Sequence, residues 1–256
     1  MKKWGIVLAR FLLCVGCLST TATKITDIPQ RQTGLPNRLT IAADFVPKDL
    51  QIVAIGDSLT EGVGDVDGGY VADVKEKLMQ HKAVRSVTVT NLGKRGLRIS
   101  QLDEVINEHQ QPIKEADMIF ITIGGNDVMK IVRSHLFDLT YSLFEQKQKT
   151  FAQKLNRLIK TLRSLNQEAT IVLVGLYNPF SNSLQTIPEI DEVIKMWNEG
   201  SKDVLSHYDH TMFVDVKDLF DDRDDLLSSD QFHPNEQGYA LIATRVYQQL
   251  VRSMER

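Results

Sequence analysis

Cysteine is nearly missing from this chain, because both of its thiols, Cys14 and Cys17, lie within the first 17 residues. The remaining sequence therefore has no thiol for nucleophilic catalysis, no cysteine cluster for zinc and no pair for an internal disulfide bond. The glycines of residues 62–69 lack the Gly-Lys-Ser/Thr that completes a phosphate-binding loop. The acidic run at residues 221–225 lacks the glycine and the closing glutamate of an EF-hand. The sequence thus predicts no metal ion and no cofactor.

A strong charge imbalance is also missing. The 256 residues carry 30 Lys and Arg against 33 Asp and Glu, a formal net charge of −3. This balance gives no electrostatic argument for binding nucleic acid. A hydrophobic fraction of 42% with 25% charged residues is typical of a soluble globular protein. The length fits one domain behind an N-terminal extension, although length alone would permit two domains.

Residues 1–23 form a predicted export signal or lipoprotein leader, in which Met1-Lys2-Lys3 precedes an apolar stretch. Arg10 interrupts that stretch, and a charge at the centre of a membrane-spanning helix costs about 2.5–3.5 kcal/mol. Val15-Gly16-Cys17 resembles the end of a bacterial lipoprotein box, so lipidation of Cys17 is one interpretation. Cleavage near Ala22 and an uncleaved anchor are the alternatives. We expect an exported protein that is tethered to the cell membrane or secreted.

The rest of the chain predicts a tether followed by an α/β domain. Residues 24–47 contain Pro29, Gly34 and Pro36 with little periodicity, as a tether would. Over residues 48–256, short apolar runs alternate with helical patterns, which is typical of a parallel sheet covered by helices on both faces. The predicted strands are residues 51–55, 86–90, 118–123, 170–176 and 212–216.

Helical periodicity is clearest in three places. Apolar residues at steps of three and four predict one helix that begins at Phe151 and a second that follows Pro188. A last amphipathic helix includes Tyr239 to Leu250, and Pro234 is expected in its first turn.

Four motifs place polar side chains and glycines near predicted strand ends. Gly56-Asp57-Ser58 follows the first strand, Asn91 to Gly96 closes the second, and Gly124-Gly125-Asn126-Asp127 follows the third. The fourth motif, Asp230 to Asn235, precedes the last helix. Because the carboxyl ends of parallel strands border the crevice where ligands bind, we expect the first three motifs to meet there.

Ser58, His233 and Asp230 are the residue types of a nucleophile, a base and an orienting acid. A serine hydroxyl needs a neighbouring base to take its proton. In a compact turn, Asp230 can hold one imidazole nitrogen of His233 protonated while the other faces Ser58. Asp230 as a helix cap is the alternative interpretation, and the presence of Ser58 favours catalysis over it.

In their order, the four motifs resemble those of the SGNH or GDSL family of serine hydrolases, over about residues 50–253. The resemblance implies a flavodoxin-like three-layer α/β/α sandwich, the SGNH hydrolase fold, over residues 48–256. Its five-stranded parallel sheet has the strand order 2-1-3-4-5. The resemblance also implies hydrolysis of a carboxylic ester or thioester through an acyl-enzyme.

The same resemblance suggests how the oxyanion of the reaction would be bound. The predicted donors are the backbone N–H groups of Ser58 and Gly96 and the side-chain amide of Asn126. Gly93 competes with Gly96, which is preferred because it matches the family's spacing from Asn91. Neighbouring residues are expected to shape or cap the backbone, namely Asp57, Gly124, Gly125 and Asp127.

Within this class a lipase-like esterase or thioesterase is favoured, acting on a small-molecule, lipid or glycan ester. A carbohydrate O-acetylesterase acting on cell-wall or extracellular glycans is the nearest alternative. A non-catalytic flavodoxin-like binding protein is the alternative from another class, and phosphoester hydrolysis with Asp57 as nucleophile is a third. Residues 128–150 carry more apolar side chains than a connecting loop needs. They either form the acyl side of the crevice or cover the sheet as another packed helix.

Overall fold

The computed structural model describes residues 47–135, 138–180 and 188–254. The predicted leader, with Cys17, and nearly all of the tether lie outside these ranges, so their interpretation stays a prediction. Phe137, which belongs to the apolar residues 128–150, also lies outside these ranges. None of the helices within the described ranges is both long and apolar enough to cross a membrane.

In the described part of the chain, five parallel strands form one sheet. They are β1 Lys48–Gly56, β2 Val84–Gly93, β3 Met118–Thr122, β4 Thr170–Val174 and β5 Thr211–Val214. Their order in the sheet is β2-β1-β3-β4-β5, which confirms the fold and the strand order expected from the resemblance. At the carboxyl end of β1, Gly56 pairs with Gly93 on one side and Thr122 on the other. The ends of three adjacent strands therefore lie side by side.

Helices cover both faces of the sheet. They are α1 Ser58–Glu61, α2 Gly69–Met79, α3 Leu102–Glu108, α4 Gln110–Glu115, α5 Gly125–Ser134, α6 Tyr141–Leu165, α7 Pro188–Leu205 and α8 Glu236–Met254. Successive residues of a strand face opposite sides. Val53 and Ile55 of β1 belong to a core cluster with residues of α3 to α7, whereas Ile52 and Ala54 belong to a second cluster with residues of α2 and α8. Both faces of β1 are therefore buried, which explains its nearly continuous apolar sequence.

Two predicted helix starts are wrong. Helix α6 begins at Tyr141 rather than Phe151, because the Thr140 hydroxyl accepts the N–H of Leu143 and caps a longer helix. Helix α8 begins at Glu236, and its cap is Asn235, whose side-chain oxygen accepts the N–H of Gly238. Pro234 therefore lies ahead of the helix, where it forms an isolated antiparallel bridge with Leu227. The predicted start of α7 at Pro188 is confirmed.

Candidate active site

The turn between β1 and α1 presents the Ser58 hydroxyl at the carboxyl edge of the sheet. Gly56 has φ +148°, and an added Cβ would lie 2.2 Å from the carbonyl oxygen of Thr122, so the turn requires glycine. Asp57 caps α1, as expected, by accepting the N–H of Leu59 at 3.1 Å, and it also accepts the Thr122 hydroxyl at 3.0 Å. These contacts fix α1 against the end of β3.

Asp57 is buried at this turn, with 4% of its surface exposed. Burial raises the pKa of the carboxyl group to about 7, although hydrogen bonds from Leu59 and Thr122 oppose the shift. The ionised form of Asp57 is therefore less favourable in the folded protein than in water.

Two hydrogen bonds join Ser58, His233 and Asp230. His233 Nε2 lies 2.8 Å from Ser58 Oγ, and His233 Nδ1 lies 2.6 Å from Asp230 Oδ2. The imidazole is mostly buried, with 13% of its side chain exposed, whereas Asp230 is 47% exposed. The structure thus brings together the three side chains that the motifs suggested. This is the geometry needed for proton transfer from a hydroxyl to a histidine that a carboxylate orients.

Asp230 also organises the turn that carries His233. Its Oδ1 accepts the backbone N–H groups of Phe232 and His233 and the hydroxyl of Ser228. Partial burial alone would raise the pKa of Asp230, but the bonds from His233, Ser228 and Phe232 together lower it to about 2. The alternative of Asp230 as a helix cap is wrong, since Asn235 caps α8.

Contacts from distant segments hold the His233 turn in place. The Tyr177 hydroxyl donates to the carbonyl oxygen of Phe232 at 2.6 Å. Gly64 has φ +101°, and an added Cβ would lie 2.3 Å from the Pro234 carbonyl oxygen and 3.3 Å from the Cβ of His233. Neither support was predicted from the sequence, although the glycines of residues 62–69 are a visible signal for a turn of special geometry.

The Asn126 side chain holds the loop that contains Gly96. Its Nδ2 donates one N–H to the carbonyl oxygen of Leu97 at 3.0 Å, which leaves the second N–H for a ligand. The adjacent Asp127 accepts the N–H of Ile99 at 3.0 Å. Asp127 therefore does not cap its own helix but ties the loop to α5.

The two glycines proposed for the second backbone donor differ in their surroundings. The N–H of Gly93 donates to the side chain of Asn91, and an added Cβ on Gly93 would lie 2.3 Å from the backbone nitrogen of Glu61. Gly96 has φ +81° and open space where a Cβ would be. Among the described residues, the N–H groups of Gly96 and Ser58 have no hydrogen-bond acceptor. These two groups therefore remain unpaired, and that of Gly93 does not.

An apolar cavity of about 110 Å³ opens beside Ser58 and Asn126. Much of its wall comes from residues 128–150, so the part of this segment that the structure describes both lines the cavity and packs into the core. An apolar cavity of about 150 Å³ binds benzene in another protein, so this one has room for several carbon atoms. The wall includes Val128, Met129, Val132, Leu139, Phe144 and Val193.

Within the described ranges, no group of three or more His, Cys, Asp or Glu side chains is placed to hold a metal ion. In the acidic run, Asp221 pairs with Lys217 and Asp225 with Arg223.

Residues 54–241 match the GDSL-like Lipase/Acylhydrolase family, and the chain belongs to this family of carboxylic ester hydrolases. Among its relatives, Uncharacterized protein YpmR of Bacillus subtilis (strain 168) is 41% identical over 254 residues, which are 97% of this chain and 95% of that protein. Spore germination lipase LipC of Bacillus licheniformis is 28% identical over 77% of this chain and 94% of its own length.

Solved structures agree with this assignment. The lipase Lip_vut3 from a goat rumen metagenome superposes with a TM-score of 0.70 at 26% identity, covering 78% of this chain and 96% of that one. A catalytic mutant of Axe2, an acetylxylan esterase from Geobacillus stearothermophilus, has a TM-score of 0.59 at 20% identity, covering 80% and 95%. At that identity the second likeness concerns the fold alone.

Proposed function

We propose that this enzyme hydrolyses esters of medium-chain carboxylic acids through a covalent acyl-enzyme on Ser58. The observation that carries the proposal is the apolar cavity beside the Ser58 hydroxyl, which is hydrogen-bonded to His233. An acetyl group would leave most of this cavity unfilled. A longer acyl chain would cover its aliphatic and aromatic wall.

In the proposed reaction, Ser58 Oγ attacks the ester carbonyl carbon while His233 Nε2 takes the hydroxyl proton. Asp230 accepts a hydrogen bond from the Nδ1–H of His233 and stabilises the imidazolium that forms. The N–H groups of Ser58 and Gly96 and the amide of Asn126 donate to the oxyanion. Collapse of this intermediate expels the alcohol, or the thiol of a thioester, which receives its proton from His233. A water molecule then attacks the acyl-enzyme by the same steps and releases the acid.

The acyl-chain preference is the first prediction. Burying one methylene group gains about 0.8 kcal/mol, or roughly fourfold in binding, so kcat/KM should rise from acetyl to octanoyl p-nitrophenyl esters. Val132→Phe should fill the cavity and remove most of that rise while acetyl ester turnover is nearly unchanged. Arg133→Phe, at an exposed position of the same helix, is the matched control and should retain the rise.

The acetyl-ester alternative gives the opposite pattern. A flat or falling profile with chain length, together with rapid turnover of acetylated glycans, would replace the proposal with a carbohydrate O-acetylesterase. Since family membership makes the chain an enzyme, the non-catalytic binding interpretation is set aside. Labelling by a fluorophosphonate probe that is lost in Ser58→Ala would identify the nucleophile directly and separate it from Asp57.

A further inference from the structure

A second cavity, of about 240 Å³, lies against the opposite face of α5 from the acyl cavity. Helical periodicity explains the division. Val128, Met129 and Val132 of α5 line the acyl cavity, whereas Asp127 and Lys130 line the second one. The other walls come from α6 and from the turn that begins at Arg98. We call this cavity the basic pocket and define its charged wall by Arg98, Asp127, Lys130, Lys147 and Lys154.

The pocket concentrates positive charge on a protein whose net charge is −3. Lys147 and Lys154 are seven residues apart and so lie on one face of α6, two turns from each other. Arg98 and Lys130 add two cations from separate elements. Among the described residues that line the pocket, Asp127 is the single carboxylate. Four cations therefore surround one acid.

These cations have no direct counter-ion in the described part of the chain, where the ion pairs all involve other side chains. Arg98 and Lys154 are nevertheless half-buried, and a desolvated cation without a partner is unfavourable. Asp127 compensates only in part: burial raises the pKa of its carboxyl group, and one oxygen already accepts the N–H of Ile99.

The remainder of the pocket, within the described ranges, offers one free hydroxyl group above an apolar floor. Ser100 contributes that hydroxyl, whereas the Thr150 hydroxyl already donates to the carbonyl oxygen of Gln146. Phe151 and Trp197 form part of the floor. The indole N–H of Trp197 is buried and has no hydrogen-bond partner among the described residues. A buried indole N–H usually has one, so one unsatisfied donor lies beside the unpaired cations.

We propose that the basic pocket binds a phosphate group, carried either by the ester substrate or by a separate molecule. A phosphate offers three or four oxygens and up to two negative charges, so it can contact cations from three elements at once. Lysine ammonium groups act as point charges toward phosphate, and a guanidinium binds two oxygens together. A carboxylate offers two oxygens and a single negative charge, so it matches the four cations less well than a phosphate does. The proposal concerns a site separate from the ester chemistry and does not depend on it.

The test is calorimetric titration of the full-length protein with inorganic phosphate and with glycerol 3-phosphate. The double variant Lys147→Gln with Lys154→Gln should weaken both affinities by at least about 10-fold, since it removes two charge-assisted contacts. The double variant Lys149→Gln with Lys160→Gln makes the same charge change on the same helix outside the pocket, and it should bind as the wild type does. Absence of binding to the wild type, or equal weakening in both double variants, would overturn the proposal.

Kinetics distinguish the two sources of the phosphate. If the substrate carries it, the pocket variant should lower kcat/KM by at least about 10-fold for an octanoyl ester of glycerol 3-phosphate and leave octanoylglycerol unaffected. If a separate molecule carries it, phosphate binding weakens in that variant while both esters are hydrolysed as before. Should neither ester be hydrolysed by the wild type, the proposed function fails, and the titration still decides the pocket.

Discussion

Ser58, His233 and Asp230 form a hydrogen-bonded series, and the three side chains should not contribute equally to kcat. Loss of the serine or the histidine of a comparable triad lowers kcat by about a millionfold, whereas loss of the carboxylate costs about 10,000-fold. We expect Ser58→Ala and His233→Ala to show the larger effect and Asp230→Asn the smaller one, because a poorly oriented imidazole still accepts a proton. Octanoyl ester hydrolysis by the purified variants measures the ranking, with circular dichroism as the check on folding.

An unchanged rate in Asp230→Asn would contradict this ranking and reduce the mechanism to a Ser58–His233 pair. A Ser58→Ala variant that retains a few per cent of activity would remove Ser58 as the nucleophile.

Asn126 contacts the Gly96 loop with one N–H, and in the proposed mechanism it donates the other to the oxyanion. A single oxyanion donor is worth roughly 100- to 1,000-fold in kcat, so Asn126→Ala should lose about that much, with little change in KM. The reason is that the charge it binds develops only in the transition state. Steady-state kinetics separate the two parameters. A loss confined to KM would show that Asn126 only positions the substrate.

At this scale, motif spacing was enough to select residues that the fold brings together across long distances, such as Ser58 and His233. The Tyr177 support of the His233 turn gave no such signal. Tyr177 reaches the Phe232 carbonyl oxygen across 55 residues, and a hydroxyl-to-backbone bond leaves no pattern in either local sequence. The availability of the Gly96 N–H, as opposed to that of Gly93, also depends on contacts that only the folded chain defines.

At the scale of elements, the loop between α1 and α2 is a support for the histidine turn, and Gly64 is its contact point. Gly64→Ala would place a Cβ against the Pro234 carbonyl oxygen and displace His233. A misplacement of about 1 Å can cost roughly 100-fold in rate, so we expect a loss of that order in kcat. Gly68→Ala is the matched control, because its φ of +99° is similar but its added Cβ would meet only the Ala72 side chain.

Both alanine variants should lose stability through backbone strain, by roughly 1–3 kcal/mol, as measured by urea unfolding. Only Gly64→Ala should lose activity as well. Equal activity in the two variants would show that the loop does not position His233.

The sequence was a better guide to the middles of elements than to their ends. Buried β-branched runs identified the strands because burial on both faces removes polar positions. The start of α6 at Tyr141 was missed because the buried position between Phe144 and Phe151 is occupied by Gln148, and this polar residue interrupts the apolar periodicity that placed the start at Phe151. The start of α8 was misplaced because proline suits the position before a helix cap as well as the first turn.

At the scale of the whole molecule, Asp57 should make stability depend on pH. Its pKa is near 3.8 in the unfolded chain and about 7 in the fold, so between these values only the folded state holds the proton. The free energy of unfolding should therefore fall as pH rises from 4 to 7 and then level off. The full effect is about 4 kcal/mol for a shift of this size.

Asp57→Asn keeps an oxygen for the N–H of Leu59 and cannot ionise. Relative to the wild type, it should gain stability steadily from pH 4 to pH 7, as measured by urea unfolding at each pH. Parallel stability curves for the two proteins would show that Asp57 ionises in the folded state as easily as in the unfolded one.

The 175 residues that separate Ser58 from His233 have a consequence for how the protein is made. Ser58 emerges from the ribosome early, on a strand whose neighbours in the sheet, β2 and β3, are still to come. The histidine turn and α8 are synthesised after all five strands, and α8 packs against α2 beside the serine. A nascent or truncated chain that stops before this turn therefore carries its nucleophile without its base. We expect no hydrolytic activity until residue 233 has been made, so such a chain cannot attack the esters it meets.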